Sequence, residues 1–426
     1  MSSVILVRGA RQLLTLRGPS GPRRGADLRN LGIIQDGAIL IVDGIIREVG
    51  PSRRIENLAL AHQADEIDAS GFVVMPGLVD CCTHLASGPA RLADYELRLA
   101  GADPQEIAAH GGGAVGLARS IQDLSFRALE NVALRSLEDA VRHGVTTVEL
   151  RSGFGITEVG EMKILRVHAA LRKLPVSVTS TLLTANAPPA YKGRPDQYIH
   201  WMCSHLLPLI KRRKFADFAA IRVDPAGFSP AEARSYLLAA CRLGLAVRVE
   251  SGPDSDSDSA AVPLAVELGA ASVDRIVDPN EPATAQLAQA NIVATLLPGE
   301  PFYLGTGPLP HARRLIDQGV AVAIASGYHP ETSPSQNMQM IVALACARMR
   351  MTPAEAISAA TINAAHALRR ASEIGSLEPG KRADLLILTA PDYREIPYHF
   401  GVNLADLVMA NGQILVRRSE VWWPAN

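Results

Sequence analysis

The strongest constraint on this chain is a rhythm. Between residues 75 and 370, eight short apolar runs alternate with helix-like stretches. The runs are Leu78 to Asp80, Thr146 to Leu150, Val176 to Ser180, Ala220 to Val223, Ala246 to Val249, Asp274 to Val277, Ile292 to Leu296 and Val320 to Ile324. Between them lie segments such as Glu130 to His143, Glu158 to Leu171, Pro230 to Leu243 and Ser259 to Leu268. Apolar strands separated by helices predict a parallel sheet with covered faces. Eight of them predict closure, so the fold class is α/β, with a TIM-like (β/α)8 barrel over residues 75–372. The last helix should run from Thr352 to about Arg370, with Pro353 in its first turn.

Both ends of the chain read differently. Val4 to Val7, Ala38 to Val42, Ile45 to Gly50, Glu66 to Asp68 and Phe72 to Val74 are strand-like, and Asp43-Gly44 is a hairpin signal. Ala383 to Leu388, Leu407 to Ala410 and Gln413 to Val416 follow the barrel, with Asn411-Gly412 as a second hairpin turn. Neither set can bury a core by itself. Residues 1–74 and 373–426 are therefore expected to pair into one small β-sandwich. The loop from Arg17 to Gly25, with Arg17, Arg23 and Arg24, reads as a flexible, solvated basic segment.

Composition excludes more than it selects. A net charge of -1 gives no electrostatic case for nucleic acid or an anionic membrane surface. No run of eighteen apolar residues suggests a membrane span, and no signal-peptide pattern is seen. Five cysteines without framework spacing argue against a disulfide scaffold, so a cytoplasmic location is expected.

Chemistry in a parallel barrel sits at the C-terminal strand ends. The first strand, Pro76-Gly77-Leu78-Val79-Asp80-Cys81-Cys82-Thr83-His84, places Cys82 and His84 two apart, on one face of an extended chain. A thiolate and an imidazole there could be two ligands of a zinc-type site. A packed thiol and a hydrogen-bonded histidine is the other reading.

The same stretch resembles the first barrel strand of the amidohydrolase superfamily, Pro-Gly-apolar-Val-Asp-x-His-x-His. Longer segments narrow the resemblance to imidazolonepropionases. These are Tyr95 to Gly101, Glu106 to Gly113, Val148-Glu-Leu-Arg-Ser-Gly-Phe-Gly155, Pro188 to Gly193, Leu296 to Gly299, Ser333 to Asn337, Ala359 to Ala365 and Gly375 to Asp384. The resemblance implies a barrel plus sandwich, a homodimer, and hydrolysis of the ring amide of 4-imidazolone-5-propanoate by a metal-bound water, in histidine breakdown.

Position by position, the resemblance also implies an altered site. Cys82 stands where the family has its first metal His, and His84 matches the second. Glu250 stands for a further His, Arg275 for a catalytic His, and Gly327 for the last ligand, an Asp. Arg91 matches a substrate-binding Arg. Phe154 replaces a Tyr, Asn186 a His and His329 an Asn, while Asp224-Pro225 aligns with a Glu-Glu pair, so that Asp224 keeps one carboxylate.

Gly327 offers neither a ligand nor a base, and Arg275 brings a permanent charge with no lone pair. The principal expectation is a pseudoenzyme without a metal cofactor, whose pocket holds a small carboxylate through Arg91. The alternative is an active hydrolase of another cyclic amide, with zinc or iron on Cys82, His84 and Glu250. Without metal, Glu250 and Arg275 are expected to form a two-point salt bridge in the barrel mouth. The other histidines are expected to be surface or packing residues, and Cys203, Cys241 and Cys346 helix core.

Overall fold

The computed structural model describes residues 3–224 and 227–417. Five strands precede the barrel: β1 (Val4–Leu14), β2 (Ile33–Val42), β3 (Ile45–Pro51), β4 (Asp65–Asp68) and β5 (Val73–Pro76). The barrel strands are β6 (Leu78–Thr83), β7 (Val145–Arg151), β8 (Ser177–Thr184), β9 (Phe218–Val223), β10 (Ala246–Ser251), β11 (Ser272–Asp274), β12 (Val293–Leu296) and β13 (Val322–Ile324). Three more follow: β14 (Leu385–Leu388), β15 (Ala405–Ala410) and β16 (Gln413–Arg417).

The barrel strands pair in parallel, each beside the next from β6 to β13. A bridge between Thr83 and Tyr328 draws β6 toward β13, and the His84 amide donates to the Tyr328 carbonyl at 2.8 Å. The helices pack their apolar faces on this sheet, as the alternation requires. Pro230–Arg242, for example, opens with a capping box of Ser229 and Glu232 and buries Tyr236 and Leu237.

The end strands hydrogen-bond into one sheet in the order β16-β15-β14-β5-β1-β2-β3, with β4 also on β1. The two expected layers are thus one bent sheet. β1 bends where its register shifts between Val7 and Ala10, around Gly9 at φ +73. Before the bend it pairs with β4, after it with β5. Val7, Leu13, Ile39 and Ile41 from the N-terminal end then share a core with Leu385, Ile387, Leu407 and Met409 from the C-terminal end.

Several expectations are corrected. The sixth barrel strand covers Ser272–Asp274, not residues 274–277. The helix expected to Arg370 divides into Pro353–Ala359 and Ile362–Ala367, because the Ala360 carbonyl accepts the Val79 amide instead of continuing the helix. The basic loop is anchored. Buried Arg23 donates to the carbonyls of Leu16 and Asn30, and its backbone is bracketed by Asn363 at 2.8 and 2.9 Å. Arg24 bonds carbonyls of Leu287, Ala288, Ala290 and Gly319, which ties the loop to the N-terminal end of the barrel. Cys241 is exposed rather than core, since its helix turns that position outward. No helix among the described residues is long and apolar enough to cross a membrane.

Candidate functional site

The barrel interior carries charge. On β7, β10 and β11 charged residues alternate with apolar ones, so Glu149, Arg151, Arg248, Glu250 and Asp274 all point inward and are buried. Arg151 donates from Nε to both Glu149 oxygens at 3.0 Å, from Nη1 to Glu250 at 2.9 Å and from Nη2 to Asp274 at 2.6 Å. Arg248 meets Asp274 at 2.9 Å, Glu149 at 3.2 Å, Ser272 at 2.8 Å and the Cys81 carbonyl at 2.9 Å. Burial pushes the Asp274 and Glu250 carboxyls up, but the surrounding guanidiniums outweigh it and hold both below the usual carboxylate range. Beside this network, burial lifts Asp80 to about 7, and Ser326 donates to it from its amide and hydroxyl at 3.0 and 2.5 Å.

Above the network, at the C-terminal strand ends, lies a cavity of about 170 Å³. Its walls include Cys82, His84, Phe154, Asn186, Glu250 and His329, together with Arg222, Arg275, Glu300 and Glu331. His84 lies edge-on to Phe154 at 4.8 Å and to His329 at 5.5 Å. Burial, and then the neighbouring charge, keeps both imidazoles neutral, with His329 lowered to about 3. His329 Nδ1 accepts the Glu331 amide at 3.3 Å, so its proton is on Nε2. That Nε2, His84 Nδ1, Arg275 Nε and Glu331 Oε1 are buried without a protein hydrogen-bond partner. Two of these, Arg275 Nε and Glu331 Oε1, each lie 3.9 Å from an opposite charge, Glu250 and Arg91, which leaves the two imidazole nitrogens as the unpartnered atoms of the cavity wall.

The structure brings most of the expected residues together. Cys82, His84, Phe154, Asn186, Glu250, Arg275 and His329 all line the cavity. Arg91 does not; its guanidinium forks onto Asp94 at 3.1 and 3.2 Å within the helices that cover the barrel mouth. Asp224 follows β9, its amide donating to the Phe228 carbonyl, and does not line the cavity; Pro225 lies outside the described residues.

The Glu250–Arg275 ion pair is present, but as a single long contact and not as the expected two-point fork. Arg275 Nε approaches Glu250 only to 3.9 Å, and its guanidinium pairs instead with Glu300 at 2.9 and 3.1 Å. β11 ends at Asp274, and Arg275 takes a left-handed φ of +64, from which its guanidinium ends fork onto Glu300 while Nε still faces Glu250. The two-point fork onto Glu250 comes from Arg222, at 2.6 and 2.8 Å. The register of β9 and β10 sets Arg222 directly beside Glu250.

The residues at the barrel mouth do not fit a metal. Among the described residues, no three His, Cys, Asp or Glu side chains are gathered as ligands. Burial holds the Cys82 thiol well above its ordinary value, against the pull of Arg151, so it is not a thiolate. Glu250 is already engaged by Arg151 and Arg222. Gly327 has φ +59, and a Cβ there would come within 3.2 Å of Leu297.

A larger cavity, of about 910 Å³, lies at the opposite end of the barrel between the Arg17–Gly25 loop and His366. Its lysine, Lys381, is already bonded to Ala371, Ser376 and Glu378. None of its lining side chains has a buried nitrogen or oxygen without a hydrogen bond.

Comparison with known proteins gives this site its context. The profile of the amidohydrolase family matches residues 280–415. Imidazolonepropionases of Geobacillus kaustophilus and Brevibacillus brevis are 39% and 38% identical, each alignment covering 98% of this chain and 99% of the relative. That of Geobacillus thermodenitrificans is 40% identical over the same shares. Among solved structures, a triazine hydrolase from Arthrobacter aurescens superposes with TM-score 0.75 at 19% identity, covering 97% of this chain and 95% of that one. Escherichia coli guanine deaminase gives 0.71 at 16%, over 98% and 100%. An adenosine deaminase from Xanthomonas campestris with bound zinc gives 0.69 at 17%, over 97% and 93%. The distant structures share the barrel and its accompanying sheet, and the full-length sequence relatives go further: this chain belongs to the imidazolonepropionase family of amidohydrolases.

Proposed function

We propose that this chain is a member of the imidazolonepropionase family that binds a small, planar, carboxylate-bearing ligand without metal-activated hydrolysis. One observation carries the reading. A single cavity combines two guanidiniums, Arg222 and Arg275, with two neutral imidazoles that each keep one buried, unpartnered nitrogen and an aromatic wall at Phe154. Arg275 Nε has no hydrogen bond of its own and suits a carboxylate oxygen. His329 Nε2–H is a donor for a ring carbonyl, and Phe154, packed against His84 and His329, gives the cavity an aromatic wall. At about 170 Å³ the cavity suits one small ring with a short arm.

Metal-activated hydrolysis needs a cation with an open position, and a base for its water. Arginines cannot act as Lewis acids, and Gly327 supplies no base. The second reading, a hydrolase of another cyclic amide with zinc on Cys82, His84 and Glu250, lacks a comparable observation. It asks Glu250 to leave two guanidiniums and Cys82 to lose a strongly held proton.

Calorimetric titration with imidazole-4-propanoate and with its methyl ester tests the proposal, alongside a turnover assay on 4-imidazolone-5-propanoate. We expect binding of the acid, at least tenfold weaker binding of the ester, and no turnover. Equal affinities, or no binding of either, would remove the carboxylate reading. Zinc-dependent turnover would favour the three-ligand site.

A further inference from the structure

One carboxylate of the cavity wall has little to balance it. Glu331 stands beyond β13, in a turn that the His329 and Ser333 backbones close with two hydrogen bonds of 3.0 Å. Its amide donates to His329 Nδ1 at 3.3 Å, which fixes the residue beside an imidazole of the cavity. The Glu331 side chain is 12% exposed. Together with Ala114 and Thr332 it also lines a second cavity, of about 640 Å³, among the helices that cover the barrel mouth. Glu331 therefore stands at the junction of the two spaces.

The nearest positive charge is already engaged. Arg91 Nε comes only to 3.9 Å of Glu331 Oε1. The same guanidinium forks onto Asp94 at 3.1 and 3.2 Å, so one arginine serves two carboxylates. Arg98, the next cation, lies over the Tyr303 ring at 5.8 Å. Burial, and then the Asp94 charge, push the Glu331 carboxyl up against the pull of both arginines. A carboxylate so placed gains from a proton-bearing partner and repels a second anion. The other charges of the cavity are paired, Arg222 with Glu250 and Arg275 with Glu300. A ligand carboxylate adds negative charge to this set. A proton-bearing nitrogen on the same ligand, set against Glu331, offsets it.

We propose that Glu331 selects the ligand: it takes a ring N–H and turns away a second acid group. The ligand is then an N–H heterocycle with a single carboxylate arm. An oxygen-ring acid would leave Glu331 unmatched, and a dicarboxylate would set two like charges together. His84, a neutral imidazole, offers the same N–H a weaker bond than a carboxylate does. The inference rests on the carboxylate-binding reading above and adds the ligand's second pole.

Calorimetric titration of the full-length chain with three acids tests it. These are imidazole-4-propanoate, furan-3-propanoate, whose ring has no N–H, and glutarate, which has a second carboxylate in place of the ring. Wild type should bind the imidazole acid at least roughly tenfold more tightly than the furan acid, and glutarate more weakly than either. Glu331→Gln keeps the shape and removes the charge. In it the ratio of imidazole to furan acid should fall below about threefold, through loss of imidazole affinity, and glutarate should bind more tightly than to wild type. Glu331→Asp, which keeps the charge, should preserve the wild-type order of the three acids. Equal binding of the imidazole and furan acids by wild type would overturn the selection and leave the carboxylate reading standing. So would a folded Glu331→Gln with the wild-type ratio. Binding of neither ring acid by wild type would remove the carboxylate reading, and this inference with it. Should Glu331→Gln fail to fold, Glu331→Ser, which leaves room for water, takes its place; if neither folds, Glu331 is a structural residue and the proposal falls.

Discussion

Removing Arg275 should separate ligand binding from stability. In Arg275→Met the lost contact to Glu250 is 3.9 Å long. A bare charge pair at that distance is worth about 4 kcal/mol at an effective dielectric near 20. Most of that is not recovered as stability. Glu250 keeps its fork from Arg222 at 2.6 and 2.8 Å and its bond from Arg151 at 2.9 Å. The carboxylate left behind is Glu300, whose side chain is 19% exposed and can be hydrated. A net cost below about 1 kcal/mol follows. Arg222→Met removes two short bonds from a carboxylate that is 1% exposed, and should cost about 3 kcal/mol. Affinity should respond differently. A charge-assisted bond to a ligand carboxylate contributes about 1.5–3 kcal/mol, so Arg275→Met should weaken imidazole-4-propanoate binding roughly 10- to 150-fold. Urea unfolding and calorimetric titration measure the two quantities on one preparation. A stability loss in Arg275→Met equal to that in Arg222→Met would refute the partner assignment. Unchanged affinity in a folded Arg275→Met would refute the proposed role of its free Nε.

Two further outcomes follow from buried titratable groups. Burial lowers His168 to about 3, against 6.5 in the unfolded chain, so the unfolded state gains the proton first on acidification. Stability should be complete above about pH 6.5 and fall toward pH 3 by about 4–5 kcal/mol from this group, and urea titrations of His168→Asn should show a correspondingly flatter slope in that window. Among the five cysteines, exposed Cys241 should react first with a disulfide reagent under native conditions, while Cys81 and Cys82, whose thiols burial pushes up, should need denaturant; rapid native labelling of Cys82 would contradict the buried-thiol geometry.

The barrel is legible in the sequence because its strands are apolar runs bounded by helices, and all eight fall within a few residues of where those runs lie. The cavity wall is legible too, through the strand-end positions of Cys82, His84, Glu250 and His329. Pairing is not. Arg222 escapes notice because only the register of β9 on β10 sets it beside Glu250, and no local pattern states a register. Arg275 does reach the Glu250 that its position suggests, at 3.9 Å, but its closer partner is Glu300, and the left-handed φ that goes with this cannot be read from an Asp-Arg-Ile sequence. The buried network does leave a trace. In Val148-Glu149-Leu150-Arg151 and Val247-Arg248-Val249-Glu250, charged and apolar residues alternate on strands of a barrel covered by helices. Since the helix-facing side must be apolar, the charged side can only point inward. That deduction identifies Glu149, Arg151 and Arg248 as interior ions from the order of residues alone. Arg91 shows the opposite difficulty, since its motif position points to the ligand but Asp94, three residues on, captures its guanidinium.

Glu250 joins the two halves of the site. One oxygen accepts from Arg151 in the sealed network below, and the other from Arg222 at the edge of the cavity above. A barrel interior of this kind is normally filled by branched apolar side chains, which pack well and leave no polar group to satisfy. An ion network there gains little stability over such packing, because desolvation offsets most of the attraction. What it does provide is a fixed charge pattern directly under the cavity. Because Arg151 already satisfies one Glu250 oxygen, Arg222 need not be drawn wholly inward, and 18% of its side chain stays accessible. Arg275 faces Glu250 only at 3.9 Å and is held mainly by Glu300. The cavity therefore keeps two oriented guanidiniums that are balanced but not saturated. This is the electrostatic condition for admitting one more carboxylate without a metal to receive it.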